Sequence, residues 1–210
     1  MTTTKTNAGN FFEDYRFGQI LTHSTPRTVT EGDAAVYMSL YGARFAVTSS
    51  DQFAKAIGYP KAPLDDLLTF HVVFGKTVPD ISLNAIANLG YASGRFLRPA
   101  YPGDTLSTVS EVIGLKENSN KETGTVYVRS TGRNQNGEIV VEYVRWVMVR
   151  KRDKNAPVGE AVVPKLPDRI DPSEIGGAVP AINTAAYDLA LAGSPYRWGD
   201  YEVGEKIDHV

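Results

Sequence analysis

His71 and the neighbouring aspartates Asp65 and Asp66 are the residues whose types and spacing first suggest acid–base chemistry. An imidazole and a carboxylate that lie close together can move a proton to and from a reacting group. His71 has no titratable partner at a recognisable spacing, and one such group alone does not carry out acid–base catalysis. We therefore interpret His71 as a core histidine, or as one facing a pocket without chemistry. Asp65 and Asp66 are interpreted as caps of the following helix, so His71 and Asp65 stay weak catalytic candidates.

Composition excludes several other kinds of site. The chain has 210 residues and no cysteine, so disulfides, thiolate zinc sites and a cysteine nucleophile are absent. His23, His71 and His209 are far apart in sequence, and no metal-ligand spacing is present. The net charge of −2 gives no overall attraction to nucleic acid or to an anionic membrane. The basic run at 145–152 alternates with apolar residues, which indicates a half-buried strand with its basic side in water.

No targeting or membrane segment is recognisable. The first ten residues, MTTTKTNAGN, lack the apolar core of a secretory signal and the arginine-rich character of a transit peptide. No apolar run approaches the length that spans a bilayer. We expect a soluble cytoplasmic protein that binds neither nucleic acid nor membrane.

Two helices are predicted before the centre of the chain. Thr30 can cap the first, with Asp33 three residues later as a carboxylate variant of the capping box, and Gly42 ends it. A second, short helix is predicted at 51–57.

The segment 67–78, LLTFHVVFGKTV, predicts a central helix that is apolar on nearly every side. It is too short to span a membrane, so we expect other parts of the protein to surround it. Alternating patterns and turn signals predict four strands, at 81–96, 105–115, 125–134 and 138–150. Short connections favour an antiparallel meander, which gives an α+β fold with a curved sheet around one helix.

The last residues repeat a phrase from the beginning of the chain. At a separation of 186 residues, four identities align: Asp14 with Asp200, Tyr15 with Tyr201, Gly18 with Gly204, and His23 with His209. Four matches in ten positions also arise by chance. The second copy, however, follows a proline-rich stretch at 153–171 that has no apolar periodicity, where a new module would begin. We expect a duplicated module whose second copy is cut short at Val210.

Three segments resemble a known family: SLNAIANLGYASGRF (82–96), AYPGDTLS (100–107) and EYVRWVMVRKRD (142–153). They are similar to the MaoC-like double-hotdog dehydratases, and within these to the mesaconyl-CoA hydratases, also called β-methylmalyl-CoA dehydratases. The resemblance implies an N-terminal hotdog at 10–152, a linker at 153–197 and the first strand of a second hotdog at 198–210. It also implies an acyl-CoA substrate that gains or loses water across its α,β double bond, and no cofactor.

Catalytic halves of this family carry an aspartate and a histidine in a GDxNPxH-like stretch after the first long helix. The corresponding stretch here, 41–47, keeps Gly42 but has neither residue in place. The resemblance therefore places the catalytic dyad in a second hotdog, while this half shapes the acyl pocket. Its implied partner is that second module or another copy of the chain.

Four basic residues are candidates for binding the substrate. Arg44 lies in the altered motif and could anchor a substrate carboxylate, or it could be an ordinary surface arginine. Lys76, Arg95 and Arg98 could contact the phosphates of coenzyme A. Two other functions are compatible with the fold: a non-catalytic acyl-CoA-binding scaffold that pairs with a separate catalytic subunit, and a thioesterase.

Overall fold

A single antiparallel sheet forms the centre of the protein within residues 6–42, 45–175 and 181–208, which the computed structural model describes. Its strands are β1 (Ile20–Thr28), β2 (Ala85–Phe96), β3 (Thr105–Glu117), β4 (Thr123–Arg133) and β5 (Ile139–Arg150). The helices are α1 (Glu31–Tyr41), α2 (Ala46–Ser49), α3 (Asp51–Ala56), α4 (Asp66–Thr77) and α5 (Pro172–Ile175). The sheet order is β1-β3-β4-β5-β2, and α4 lies across one face. The expected α+β architecture is confirmed.

The predicted helix starts are confirmed by the capping contacts. Thr30 accepts a hydrogen bond from the backbone N–H of Asp33, whose carboxylate accepts one from Thr30 in return. Gly42 then ends α1 in a left-handed conformation, at φ 59° and ψ 35°. Asp65 caps α4 by accepting from the N–H of Leu67 at 2.8 Å. These boundaries depend on neighbouring residues only, which is why the sequence predicts them.

The meander is confirmed for β3, β4 and β5 but is wrong for β2. This strand pairs with β5 instead of β3, and its own start is later than predicted, because Val78–Ser82 forms a π-helical turn. The connection at 97–104 reaches up to about 27 Å when extended. Crossing the two intervening strands needs only roughly 14 Å. β2 is thereby an edge strand of the sheet.

The core between α4 and the sheet is tightly packed. Val73 of α4 is fully buried in a cluster that also contains Leu68, Leu106 and Tyr143. A Cβ at Gly132 of β4 would lie 2.5 Å from a Val73 methyl group, so glycine is required for this close approach. A second cluster, around Phe12 and the valines of β3 to β5, fills the other end of the sheet.

The expectation that α4 is surrounded on all sides is wrong. Leu67 is 54% exposed, and His71, one turn further along α4, is exposed as well. On either side lie two exposed rings, Tyr41 of α1 beside His71 and Tyr91 of β2 beside Phe70. We call this surface the open face and define it by Leu40, Tyr41, Leu67, His71 and Tyr91.

The segment after β5 runs back across the module. Val162 forms a two-bond bridge with Leu115 of β3, at 2.8 Å in both directions. Further on, the N–H of Asn183 donates to the carbonyl of Ile57 at 2.8 Å. No helix in the described ranges is long and apolar enough to cross a bilayer.

Candidate functional site

A cavity of about 620 Å³ lies where the N-terminus of α4 meets the end of β2. Its walls come from α2, from the residues just before α4, from the end of β2 and from α5. The N–H of Leu64 donates to the carbonyl of Ala100 at 2.7 Å, which fixes the start of α4 against the segment after β2. Most of the lining is apolar, with charged side chains from Asp65, Asp66, Arg95 and Arg98 among it.

Asp65 and Asp66 have different roles, although both were expected to cap α4. Asp65 is the cap, as its bond to Leu67 shows. Asp66 is the first residue of the helix and lines the cavity instead. Partial removal from water raises the pKa of the Asp66 carboxyl, and the negative charge of Asp65 adds to this effect.

Arg95 is held between two carboxylates at the cavity wall. Its Nη2 donates to Glu142 of β5 at 3.2 Å, and its Nη1 donates to Glu174 of α5 at 2.7 Å. The third donor, Nε, is buried and has no acceptor among the described residues. Arg98 also lines the cavity. The structure thus brings Arg95 and Arg98 together with the two aspartates.

Two other candidates, His71 and Lys76, do not line the cavity. His71 is on the open face, where its ring lies 6.0 Å from that of Tyr37 and 5.8 Å from that of Phe70. It therefore does not belong to the core, and it does not line the cavity. Lys76 donates to the carbonyl of Thr25 in β1, and its pKa is lowered chiefly by burial. Arg44 lies outside the described residues.

A buried polar network that the sequence did not reveal joins β1 to the turn after α4. The carboxylate of Asp80 lies 2.7 Å from His23 Nδ1, and His23 Nε2 lies 2.8 Å from Ser110 Oγ. Ser110 continues to Ser130 at 2.7 Å. This is the connectivity of a catalytic triad, but His23 is 3% exposed and Ser110 is 0% exposed. Because no substrate can reach these atoms, the network has a structural role.

Arg145 corrects the expectation that the basic side of β5 faces water. Its side chain is fully buried and donates to Thr77 at 2.8 Å and to Ser82 at 2.9 Å. The guanidinium also lies 4.5 Å above the ring of Phe74. Burial lowers its pKa, as expected for a cation removed from water. Arg145 thus binds the end of α4 to the sheet.

Among the described residues, the cavity is lined by carboxylates and arginines but by no imidazole. Of the three histidines, His23 is in the interior network and His71 on the open face. His209 lies outside the described residues. The arrangement is therefore typical of a binding pocket.

Comparison with solved structures defines the class of the fold. A double-hotdog protein from Mycobacterium tuberculosis aligns with a TM-score of 0.69 and 28% identity, covering 87% of this chain and 56% of that one. A structure described as a MaoC domain protein dehydratase, from Chloroflexus aurantiacus, aligns with a TM-score of 0.91 and 63% identity. That alignment covers 99% of this chain and 59% of the other. The fold is a hotdog of the MaoC-like class.

The family follows from the sequence as a whole. The profile of the mesaconyl-CoA hydratase family matches residues 2–181. The chain belongs to this family. A β-methylmalyl-CoA dehydratase of Chloroflexus aurantiacus is 65% identical over 98% of the chain, and the match spans 58% of that relative's length.

Proposed function

We propose that this chain is the N-terminal part of a hydro-lyase that reversibly hydrates mesaconyl-CoA to β-methylmalyl-CoA. The observation that carries the proposal is the cavity at the start of α4, in a chain whose relatives are named for this chemistry. The described lining of the cavity provides an apolar site for an acyl group but no imidazole. In this proposal the present half shapes the acyl pocket, and a second hotdog supplies the aspartate and the histidine.

The same proposal divides the chain into an N-terminal hotdog at 10–152, a linker at 153–197 and the first strand of a second hotdog at 198–210. It is supported by the change after β5 from long strands to a segment whose described helical turns are three or four residues long. The chain also spans less than two thirds of the relative it matches, which leaves room there for a second module.

The open face and the free edge of β2 indicate how a second module would bind. Leu89 and Tyr91 of this edge strand are 43% and 47% exposed. An unpaired strand edge beside exposed apolar side chains favours pairing with another sheet. We propose that the second hotdog covers this surface in the whole protein, and that another copy of the chain can do so in its place.

Hydration of mesaconyl-CoA by two proteins tests the proposal. One is the 210-residue chain, and the other is a fusion of this chain to the remaining C-terminal part of the Chloroflexus relative. We expect no hydration above background from the first, because its motif stretch at 41–47 has neither the aspartate nor the histidine, and turnover from the fusion. Turnover by the chain alone would refute the assignment of the dyad to a second module.

A scaffold function gives a different result in the same assay. A non-catalytic acyl-CoA-binding hotdog would bind mesaconyl-CoA, yet its fusion would remain inactive. A thioesterase would release free coenzyme A, which a thiol reagent detects. Neither outcome is expected.

A further inference from the structure

We propose that Arg95 is the anchor of a carboxylate-binding site in the cavity, and that Glu174 is an internal carboxylate which a ligand replaces. The ligand class is a small carboxylic acid, or an acyl group with a free carboxylate, on an apolar body. The cavity walls used here belong to the described part of this chain. The site lies in the same cavity as the acyl pocket proposed above and deepens that proposal, but its test measures binding by this chain alone, so the outcome does not depend on hydration.

The first step is the excess of negative charge around one guanidinium. Arg95 pairs with Glu142 and Glu174 together, and its side chain is 30% exposed. If one of the two glutamates moves away, the Arg95 guanidinium remains paired with the other. Arginine is also the side chain best suited to bind carboxylates through several N–H groups at once.

The second step is that the two glutamates are not held equally. Glu142 is part of β5, is 21% exposed and also accepts a hydrogen bond from Thr131 at 3.3 Å. Glu174 is 52% exposed and belongs to the four-residue helix α5. Exposed ion pairs contribute little to stability. Glu174 is therefore the partner that an incoming carboxylate can replace.

The third step is that Glu174 uses only part of the guanidinium fork. Glu174 accepts from Nη1 alone, while Nη2 donates to Glu142. A ligand carboxylate has two oxygens and can accept from Nη1 and from the second N–H of Nη2 in the end-on arrangement. A ligand can thus satisfy more donors of Arg95 than Glu174 does.

The remaining walls select the rest of the ligand. Leu64, Phe96 and Ile170 line the cavity with apolar surface, which suits a hydrocarbon body. Asp65 and Asp66 add negative charge, which disfavours a dianionic phosphate group. The charges therefore favour a single carboxylate over the phosphates of coenzyme A.

The proposal is tested by the binding of hexanoate and of its uncharged analogue hexanamide to the whole chain. Ligand-observed NMR titration measures both affinities. We expect Arg95→Gln to weaken hexanoate binding by about tenfold or more, because a charge-assisted contact is lost. Glu174→Gln should strengthen it by about threefold, because the competing carboxylate is removed. Hexanamide binding should change less than twofold in both variants.

Two matched controls and a stability measurement complete the design. Glu160→Gln removes an exposed linker carboxylate that does not line the cavity, and Arg98→Gln removes the other arginine that does. Glu160→Gln should leave hexanoate binding within twofold, and Arg98→Gln should weaken it less than Arg95→Gln does. Thermal unfolding shows whether Arg95→Gln is folded, and the Glu174→Gln result stands independently of that variant.

Three outcomes would overturn the proposal. If Glu174→Gln weakens hexanoate binding, Glu174 supports the cavity wall and does not compete. If hexanoate and hexanamide bind equally well to the unaltered chain, there is no carboxylate site. If Arg98→Gln alone abolishes binding, the anchor is the wrong arginine.

Discussion

Asp14 and Asp200, 186 residues apart, make the same hydrogen bond. Each carboxylate accepts from the backbone N–H three residues earlier, at 2.9 Å from Phe11 and at 2.7 Å from Arg197. Each also ends a three-residue 3₁₀ turn. The repeated phrase of the sequence is therefore a repeated local structure.

The two copies differ in what surrounds them. Tyr15 is 2% exposed and donates to the carbonyl of Asp80 at 2.8 Å, whereas its counterpart Tyr201 is 45% exposed. Phe12 is buried at 4%, and its counterpart Trp198 is 95% exposed. The local fold needs only its own residues, but the apolar side chains of the second copy have no comparable core among the residues that the structure describes. This supports the proposal that they belong to a further module.

The difference in burial predicts the effect of two matched substitutions. Phe12→Ala should lower the free energy of unfolding by about 3–5 kcal/mol, because the ring is buried against Gly124. Trp198→Ala should change it by less than about 0.5 kcal/mol. Chemical denaturation of both variants measures this. Similar losses would mean that Trp198 is packed in a native contact.

Local patterns predicted part of the molecule, and long-range contacts explain the rest. Thr30 and Asp65 cap helices through bonds to residues within three positions, so their roles are readable in the sequence. The pairing of β2 with β5, and of Arg95 with Glu174, joins residues far apart in the chain. No local periodicity encodes such contacts. The position of Asp66 in the cavity wall also depends on distant residues, which is why the sequence predicts only a capping role for it.

His23 predicts a dependence of stability on pH. Burial holds its pKa below the ordinary value of about 6.5, an effect that the Asp80 carboxylate opposes. The unfolded chain therefore binds the proton more readily. The free energy of unfolding should be highest above pH 6.5 and should fall as the pH drops below it, by at most about 1.4 kcal/mol per unit from this group.

Substitution isolates the contribution of His23. Urea denaturation between pH 7.5 and 5.5 should give a shallower slope of stability against pH for His23→Gln than for the unaltered chain. The slope is compared, so a constant loss of stability in the variant does not affect the result. Equal slopes would show that His23 titrates alike in the folded and unfolded chains.

The free edge of β2 predicts self-association. We expect the 210-residue chain to form a homodimer in light scattering, and Leu89→Lys to shift it towards monomer, since a charge on an exposed edge strand opposes pairing. Val163→Lys places the same charge at a 54% exposed linker position and should leave the dimer intact. A monodisperse monomer at high concentration would contradict this prediction.

Amide hydrogen exchange on residues 198–208 tests most directly whether this chain is one module of a tandem. The segment is exposed, and among the described residues its backbone hydrogen bonds lie within local turns such as that from the N–H of Glu205 to the carbonyl of Glu202 at 3.1 Å. In dilute, monomeric chain we expect these amides to exchange almost as fast as an unfolded peptide. In the fusion with the C-terminal part of the Chloroflexus relative, they should become protected as the segment joins a second sheet. Strong protection in the chain alone would show that the segment already has its native partner here, and would contradict the tandem.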